Sequence, residues 1–369
     1  MNQTLKLPRV TLQSLAARAS KGASCNKMLP LTSLLAIEAR GKNVRMITSD
    51  TTNFLYATYE DPSGDWDFYV VTQVDVFTKL ISKLTCTEVI LEKTETSLVV
   101  RGNGTYEMAL PLDDMGKPVV FPDPLATFDG NTVGEMDKKS IGLMLQTAKA
   151  SVSTSLDVPC YTGYYTGDTV ITTDTWKLCR LNLALSDVPV LLAPTTVDLF
   201  DTMTGDKVEV MKRDGVMVFK SPGTTLYSKL MPGIDDFRAQ TIQELLDTQF
   251  FAACVVSKDS MLQALDRMSL FVTSYDDNGI RLDFDEDEVT ISAIRVGSVE
   301  TVKYESNPQN VPAKEDMLTS CIVDIEMLQE LMKAVPGAAV KIEYGSDSFL
   351  RFSPLDDASV TQLLALKVE

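Results

Sequence analysis

The chain repeats itself. Ile47-Thr48-Ser49-Asp50 closes one stretch of alternating hydrophobicity, and Ile171-Thr172-Thr173-Asp174 closes another 124 residues later. A Val-Asp step opening an amphipathic helix has a similar period. It occurs at Val74-Asp75, Val197-Asp198 and Val323-Asp324, at spacings of 123 and 126 residues. Aspartate suits a helix start, where it accepts from free N–H groups and complements the dipole. A helical pattern also precedes each strand group, near 10–21, 137–153 and 258–273. In the last of these, Met261, Leu262, Leu265, Met268 and Phe271 form one apolar stripe. Self-similarity at a fixed period marks one structural unit copied along the chain. Three copies of about 123 residues fill the 369 residues and predict domains at 1–125, 126–250 and 251–369.

Between the helices the period switches to two, as in NVRMITSD, EVILEKTETSLVV, DTVITTD, KVEVMKRDGVMVFK, GIRLDFDEDEVTISA and AVKIEYGSDSFLRF. Several of these read as hairpins with Gly, Asp or Asn at the turn. The third copy, VTISAIR at 289–295, lacks the aspartate that ends its counterparts. Each repeat therefore reads helix, strands, helix, strands. The expected class is α+β, each domain being two similar halves of helix plus antiparallel sheet. Segment 112–136 is rich in Pro, Gly and Asp, as a linker should be, while 234–250 is less so and has room for a short helix.

Composition narrows the function. There is no histidine, which removes the usual general base, imidazole metal ligands and the Ser/His and Cys/His dyads. Cys25, Cys86, Cys160, Cys179, Cys254 and Cys321 are far apart, form no CxxC pair and read as small apolar core residues. The run from Asp283 to Glu288 lacks the Gly and terminal Glu of a calcium loop, so it reads as a charged hairpin turn. Gly102-Asn103-Gly104 is likewise a hairpin turn. No cofactor, no metal and no enzyme activity are expected. With no long apolar run and no apolar leader segment, the protein is expected in the cytoplasm, with no membrane partner.

Three stretches carry a family resemblance. Leu29-Pro30-Leu31-Thr32-Ser33-Leu34-Leu35-Ala36-Ile37-Glu38-Ala39, followed by Ile47-Thr48-Ser49-Asp50, resembles the first-domain pattern of the bacterial beta sliding clamps of replicative DNA polymerases. Thr173-Asp174-Thr175-Trp176-Lys177-Leu178 is similar to that family's TDGHRL segment. Tyr227-Ser228-Lys229-Leu230-Met231-Pro232-Gly233-Ile234-Asp235-Asp236-Phe237 resembles the stretch that closes its second domain. Weaker similarity covers nearly the whole chain.

The resemblance implies a DNA-clamp fold, a head-to-tail homodimeric ring with helices inside and sheets outside, and double-stranded DNA held without sequence readout. It implies a polymerase, a clamp loader and other partners that dock a short peptide motif. Carried over by position, the peptide cleft would use Tyr161, Thr173, Thr175, Trp176, Lys177 and Leu178. From the third domain it would add Asp324, Met327, Ser348, Leu350, Leu363, Leu364, Ala365 and Leu366. Trp176 and Lys177 stand where the family has His and Arg, and Ala365-Leu366-Lys367-Val368 replaces its terminal MPMR, so peptide preference should differ. The dimer contact would use Tyr106 and Met108 on one side and Phe271 and Val272 on the other.

Charge tests this reading. A net charge of −17 alone argues against a nucleic-acid binder. The six expected helices, however, carry eleven basic and ten acidic residues, so the acidity lies elsewhere. Residues 1–125 hold 13 basic and 14 acidic residues, against 10 and 21 in 251–369. The first domain should therefore face DNA most. The expected DNA-facing residues are Arg9, Arg18, Lys21, Lys27, Lys79, Lys83, Lys138, Lys139 and Lys149, with Lys21 and Lys27 foremost. Two other readings stay open. One is a repeat scaffold of the same fold that binds proteins without encircling DNA. The other is a hydrolase using Asp50 and Asp174, although their repeat-related positions favour a shared turn-capping role.

Overall fold

The structure is a computed structural model and describes residues 3–273, 277–307, 309–314 and 317–367. It is α+β, as expected, with antiparallel strand pairing throughout the described sheets. The helices are α1 (Arg9–Ser20), α2 (Val74–Lys83), α3 (Lys138–Thr147), α4 (Pro194–Asp198), α5 (Ala239–Leu246), α6 (Lys258–Met268) and α7 (Ile325–Ala334). None of the described helices is long and apolar enough to cross a membrane.

The chain forms two compact units, 1–138 with 195–230 and 139–194 with 231–369. Each unit has one four-stranded and one eight-stranded sheet. In the first unit the small sheet runs in the order Gln3–Pro8, Glu88–Lys93, Ser97–Arg101, Thr105–Ala109. Its large sheet joins four strands between residues 34 and 73 to Asn131–Asp137 and three strands between 207 and 229. The seam is Asn53–Glu60 against Thr224–Lys229, with Phe54 opposite Tyr227. In the second unit the seam is Lys177–Leu181 against Val360–Ala365, with Lys177 opposite Leu364. Strands from two of the expected repeats thus share each large sheet, and the units divide the second repeat between them.

Period-two patterning explains how each large sheet covers both faces. In the first unit Leu35, Ile37, Met46 and Phe68 pack against Leu12, Leu15 and Ala16 of α1 and Phe77 and Ile81 of α2. The alternate residues Ala36, Ile47, Phe54 and Tyr56 pack instead against Phe121, Val119 and Leu125 of the 112–130 connector. In the second unit Ile342, Leu350, Phe352 and Leu364 face Met261 and Leu265 of α6 and Leu328 and Met332 of α7. Their neighbours Leu178 and Leu363 face Ile242 and Leu246 of α5.

Several expectations change. The 137–153 helix stops at Thr147 and continues as a 3-10 turn, Ala148–Ser151. Asp75 lies in the first turn of α2, and Asp324 caps α7 by accepting from the Glu326 and Met327 backbone. Asp198, by contrast, ends α4, because Pro194 starts that helix four residues earlier. Cys25 is exposed in a loop with φ +51°, while Cys86 and Cys321 are only partly buried. The other three cysteines are buried, and burial pushes the Cys179 and Cys254 thiols up to about 12. The Asp285–Asp287 and Gly102–Gly104 turns join paired strands as expected, and Asn103 Oδ1 accepts from the Thr85 and Cys86 backbone.

Candidate functional site

The site begins with a tight turn built twice. In the first unit Ser49 Oγ accepts from Thr51 N at 2.9 Å and donates to Asn53 O at 2.7 Å. Asp50 Oδ1 accepts from Thr52 N at 2.9 Å and Asn53 N at 2.6 Å. In the second unit Thr173 Oγ1 accepts from Thr175 N at 3.1 Å and donates to Lys177 O at 2.9 Å. Asp174 Oδ1 accepts from Trp176 N at 3.0 Å and Lys177 N at 2.6 Å. The preceding threonines match too: Thr48 donates to Ala19 O and Thr172 to Ala148 O. Both aspartates are therefore engaged in capping their own turns.

The second turn carries different side chains. Trp176 is 50% exposed, so its ring stands out from the fold. Lys177 is only 7% exposed; its ammonium pairs with Asp174 at 3.4 Å and with Glu330 of α7. Leu178 opposes Leu363 across the seam, and both are buried.

Helix α5 supplies the opposite wall. Ile242 and Leu246, four residues apart, bury one stripe against Ile171, Leu178 and Leu363. Its C-terminal end is held by Arg351, which donates to Leu246 O at 2.7 Å and Thr248 O at 2.5 Å. Its entry is fixed by Phe237, which meets Tyr161 edge-on at 5.4 Å and stacks on Tyr165 at 4.8 Å. Between turn, sheet and α5 lies a mainly apolar pocket of about 220 Å³. Leu178, Leu363, Ile242, Leu245, Phe349 and Tyr161 line it, with Thr173, Thr175, Trp176, Lys177, Arg238 and Thr241 completing the lining. Burial raises the Tyr161 phenol above its ordinary value. Such a recess suits the apolar anchors of an extended peptide, with polar groups setting its direction.

The structure brings seven expected cleft residues together here: Tyr161, Thr173, Thr175, Trp176, Lys177, Leu178 and Leu363. It places others elsewhere. Leu350 and Leu364 point to the opposite sheet face and lie in the core, because a shift of one residue along a strand reverses its side chain. Asp324 caps α7, Met327 and Leu366 pack against the same core, and Ser348 is exposed. Ala365 N donates to Trp176 O at 2.8 Å, behind the turn. Val368 lies outside the described residues. The sequence reading missed Arg238, Thr241, Ile242, Leu245 and Phe349. The Ile242/Leu246 spacing was the available signal for the helix among them.

The basic residues divide into two groups. Arg9 donates to Cys86 O at 2.8 Å and to Gln13, and Arg18 donates to Gly223 O at 2.9 Å and to Thr224. Lys21 pairs with Asp201 and Lys79 with Asp75, both at 2.7 Å. Lys27, Lys83, Lys138, Lys139 and Lys149 are exposed. Among the described residues, no ion pair joins Lys27, Lys83 or Lys138 to a carboxylate. Tyr106 is exposed on the edge strand Thr105–Ala109, while Met108 on that strand packs on the first unit's core. Phe271 is exposed after α6, and Val272 leans on the second unit's core.

No family model matches the sequence. No curated protein matches it either. Solved structures do match in fold, over the whole length. The DNA polymerase sliding clamp of Bacillus subtilis is 17% identical, each chain fully covered, with a TM-score of 0.83. The DNA polymerase III beta chain of Streptococcus pneumoniae is 16% identical, each chain fully covered, at 0.84. A sliding clamp from Bartonella birtlesii bound to griselimycin is 13% identical, again with full coverage, at 0.81. The chain has the sliding-clamp fold from end to end.

Proposed function

We propose that this protein is a DNA sliding clamp, a processivity factor that closes with a second copy into a ring around duplex DNA and tethers a replicative polymerase. The reading is of a binding protein and not an enzyme, working in the cytoplasm. The observation that carries it is the end-to-end correspondence of fold with bacterial clamps. The three repeats, 1–125, 126–250 and 251–369, would be its domains.

The placement of these residues supports each part. A clamp must hold DNA without reading it, which phosphate contacts achieve. Lys27, Lys83 and Lys138 are exposed and free of ion pairs among the described residues, so they would carry most of this contact. Lys139 and Lys149 are exposed as well and would join them. Arg9, Arg18, Lys21 and Lys79 already hold partners and would contribute less. Ring closure would pair two sheet edges, Thr105–Ala109 with Tyr106 and Met108 on one side, and Val299–Lys303 on the other, with Phe271 and Val272 on that second side. An edge strand offers free backbone donors and acceptors to another chain. The pocket beneath Trp176 would receive the apolar anchors of polymerase and loader peptides.

The test is topological. A loaded clamp stays on circular DNA and runs off when that DNA is cut. Equal retention on circular and linear DNA, or a persistent monomer on gel filtration at micromolar concentration, overturns the ring and leaves the repeat scaffold.

A further inference from the structure

A second recess lies on the same sheet face of the second unit, at the C-terminal end of α5. It measures about 270 Å³, and its lining includes Arg180, Lys341, Glu343, Arg351, Ser353 and Thr361. Strand register creates it. Arg180 stands opposite Thr361, and the Phe352–Gln362 pairing sets Ser353 beside Thr361. Lys341 stands opposite Ser353. One transverse row over four strands therefore reads Arg180, Thr361, Ser353, Lys341. Strands lie about 4.8 Å apart, so the two cations are rooted about 14 Å from one another, with two hydroxyls between them.

The cations are not equivalent. Arg351 is occupied by the Leu246 and Thr248 carbonyls, lies over the Phe250 ring at 4.3 Å and is 3.7 Å from Glu343. Lys341 is 3.2 Å from Glu343. Arg180 has neither kind of partner: among the described residues nothing accepts from its side chain, and its Nε is buried without a bond. Burial pulls Arg351 below the ordinary arginine value, and the charge of Arg180 adds to that pull against Glu343 and Asp247. Two arginines thus line one recess in a chain of net charge −17.

The repeat sharpens the point. Tyr56 occupies the position 124 residues before Arg180, and its hydroxyl donates to Asp123 at 2.9 Å. Asp247 follows Asp123 by the same interval, yet no bond joins it to Arg180.

We propose that this recess is an oxyanion site that takes a phosphate group, with Arg180 as its main donor and Thr361, Ser353 and Lys341 completing the cradle. A guanidinium fork, two hydroxyls and an ammonium offer more donors, over a wider arc, than a planar carboxylate can use. A tetrahedral phosphate can accept from all of them. The group would come either as free inorganic phosphate or on a nucleotide.

The test is thermal melting of the full chain in inorganic phosphate against chloride at matched ionic strength. A ligand that binds only the folded state raises Tm with its concentration. Phosphate should raise Tm beyond chloride, and Arg180→Gln should weaken the apparent affinity by about tenfold or more. In chloride alone, Arg180→Gln should melt no lower than the parent, since it removes a charge with no partner. Lys341→Gln should weaken the phosphate effect less, and it serves alone if the arginine variant fails to fold. Adenosine monophosphate separates the two sources: tighter binding than phosphate assigns a nucleotide, and equal binding assigns the free ion. A rise no larger than chloride's, or one that neither variant reduces, overturns the proposal.

Discussion

The turns at 49–53 and 173–177 share a backbone and differ in what they present. Both are capped by an aspartate, and both hold a threonine at positive φ, +83° at Thr51 and +80° at Thr175. In the first unit the residue closing the turn is Asn53, fully buried and bonded to Asp50, Thr195 and Thr196. In the second, Trp176 stands in solvent and Lys177 reaches α7. The connectors follow the same division. The 112–130 segment is latched to its sheet by Asp123, which accepts from Tyr56 and Arg45, and by Phe121 N, which donates to Tyr69. The 234–250 segment folds into α5 and leaves a recess beneath it. A duplicated frame therefore fixes where a site can form, and the side chains laid over the frame decide whether it does.

The largest test removes the residue that follows each turn in the sheet. Phe54→Ala would lose ring-edge contacts to Phe121 and Tyr227 and should cost about 3–5 kcal/mol. Leu178→Ala should cost about 2–5 kcal/mol, depending on how far α5 settles into the gap. Denaturant melts read both losses. Only the second should also weaken binding of an extended peptide with leucine and phenylalanine anchors. Equal binding loss in both would erase the distinction between the turns.

Asn53→Ala and Trp176→Ala should then separate stability from binding. Losing three bonds in a buried place should cost the asparagine variant about 1–3 kcal/mol and leave peptide affinity unchanged. The half-exposed tryptophan should cost about 0.5 kcal/mol of stability or less, but at least about tenfold in peptide affinity. Calorimetric titration of the same peptide checks both.

Much of this frame was legible before folding. The Ile-Thr-Ser/Thr-Asp steps, 124 residues apart, predicted a shared turn, because an aspartate ending a strand has few other structural uses. The sharing of each large sheet between repeats was not legible, since Phe54 meets Tyr227 across a sequence gap that no local pattern encodes. The site was half legible. Residues of the TDTWKL segment came from motif position, while α5 was read as part of a connector. Leu350 and Leu364 face the core while their neighbours Phe349 and Leu363 line the pocket, since alternation along a strand reverses each successive side chain and motif position alone does not set that register.

Aspartate removal tests the cap that the two turns share. Asp50→Ala and Asp174→Ala each free two backbone N–H groups and should each cost about 1–2 kcal/mol for the cap, with Asp50→Ala costing more because it also frees the buried Asn53 amide. A larger loss at Asp174, read from paired melts, would show that its 3.4 Å contact with Lys177 outweighs the Asn53 bond.

The smallest effect comes from the two threonines at positive φ. A non-glycine residue in the left-handed region is strained by about 1–2 kcal/mol. Glycine relieves that strain but adds about 0.5–1 kcal/mol of backbone freedom to the unfolded chain. Thr51→Gly and Thr175→Gly should therefore each stabilise by about 0.5 kcal/mol, equally, because their φ values differ by only a few degrees. Matched melts of the two variants decide it. Unequal shifts would mean that Thr175, which lines the pocket, is held by its surroundings more tightly than its counterpart. The pocket would then be shaping the turn, and not only the turn the pocket.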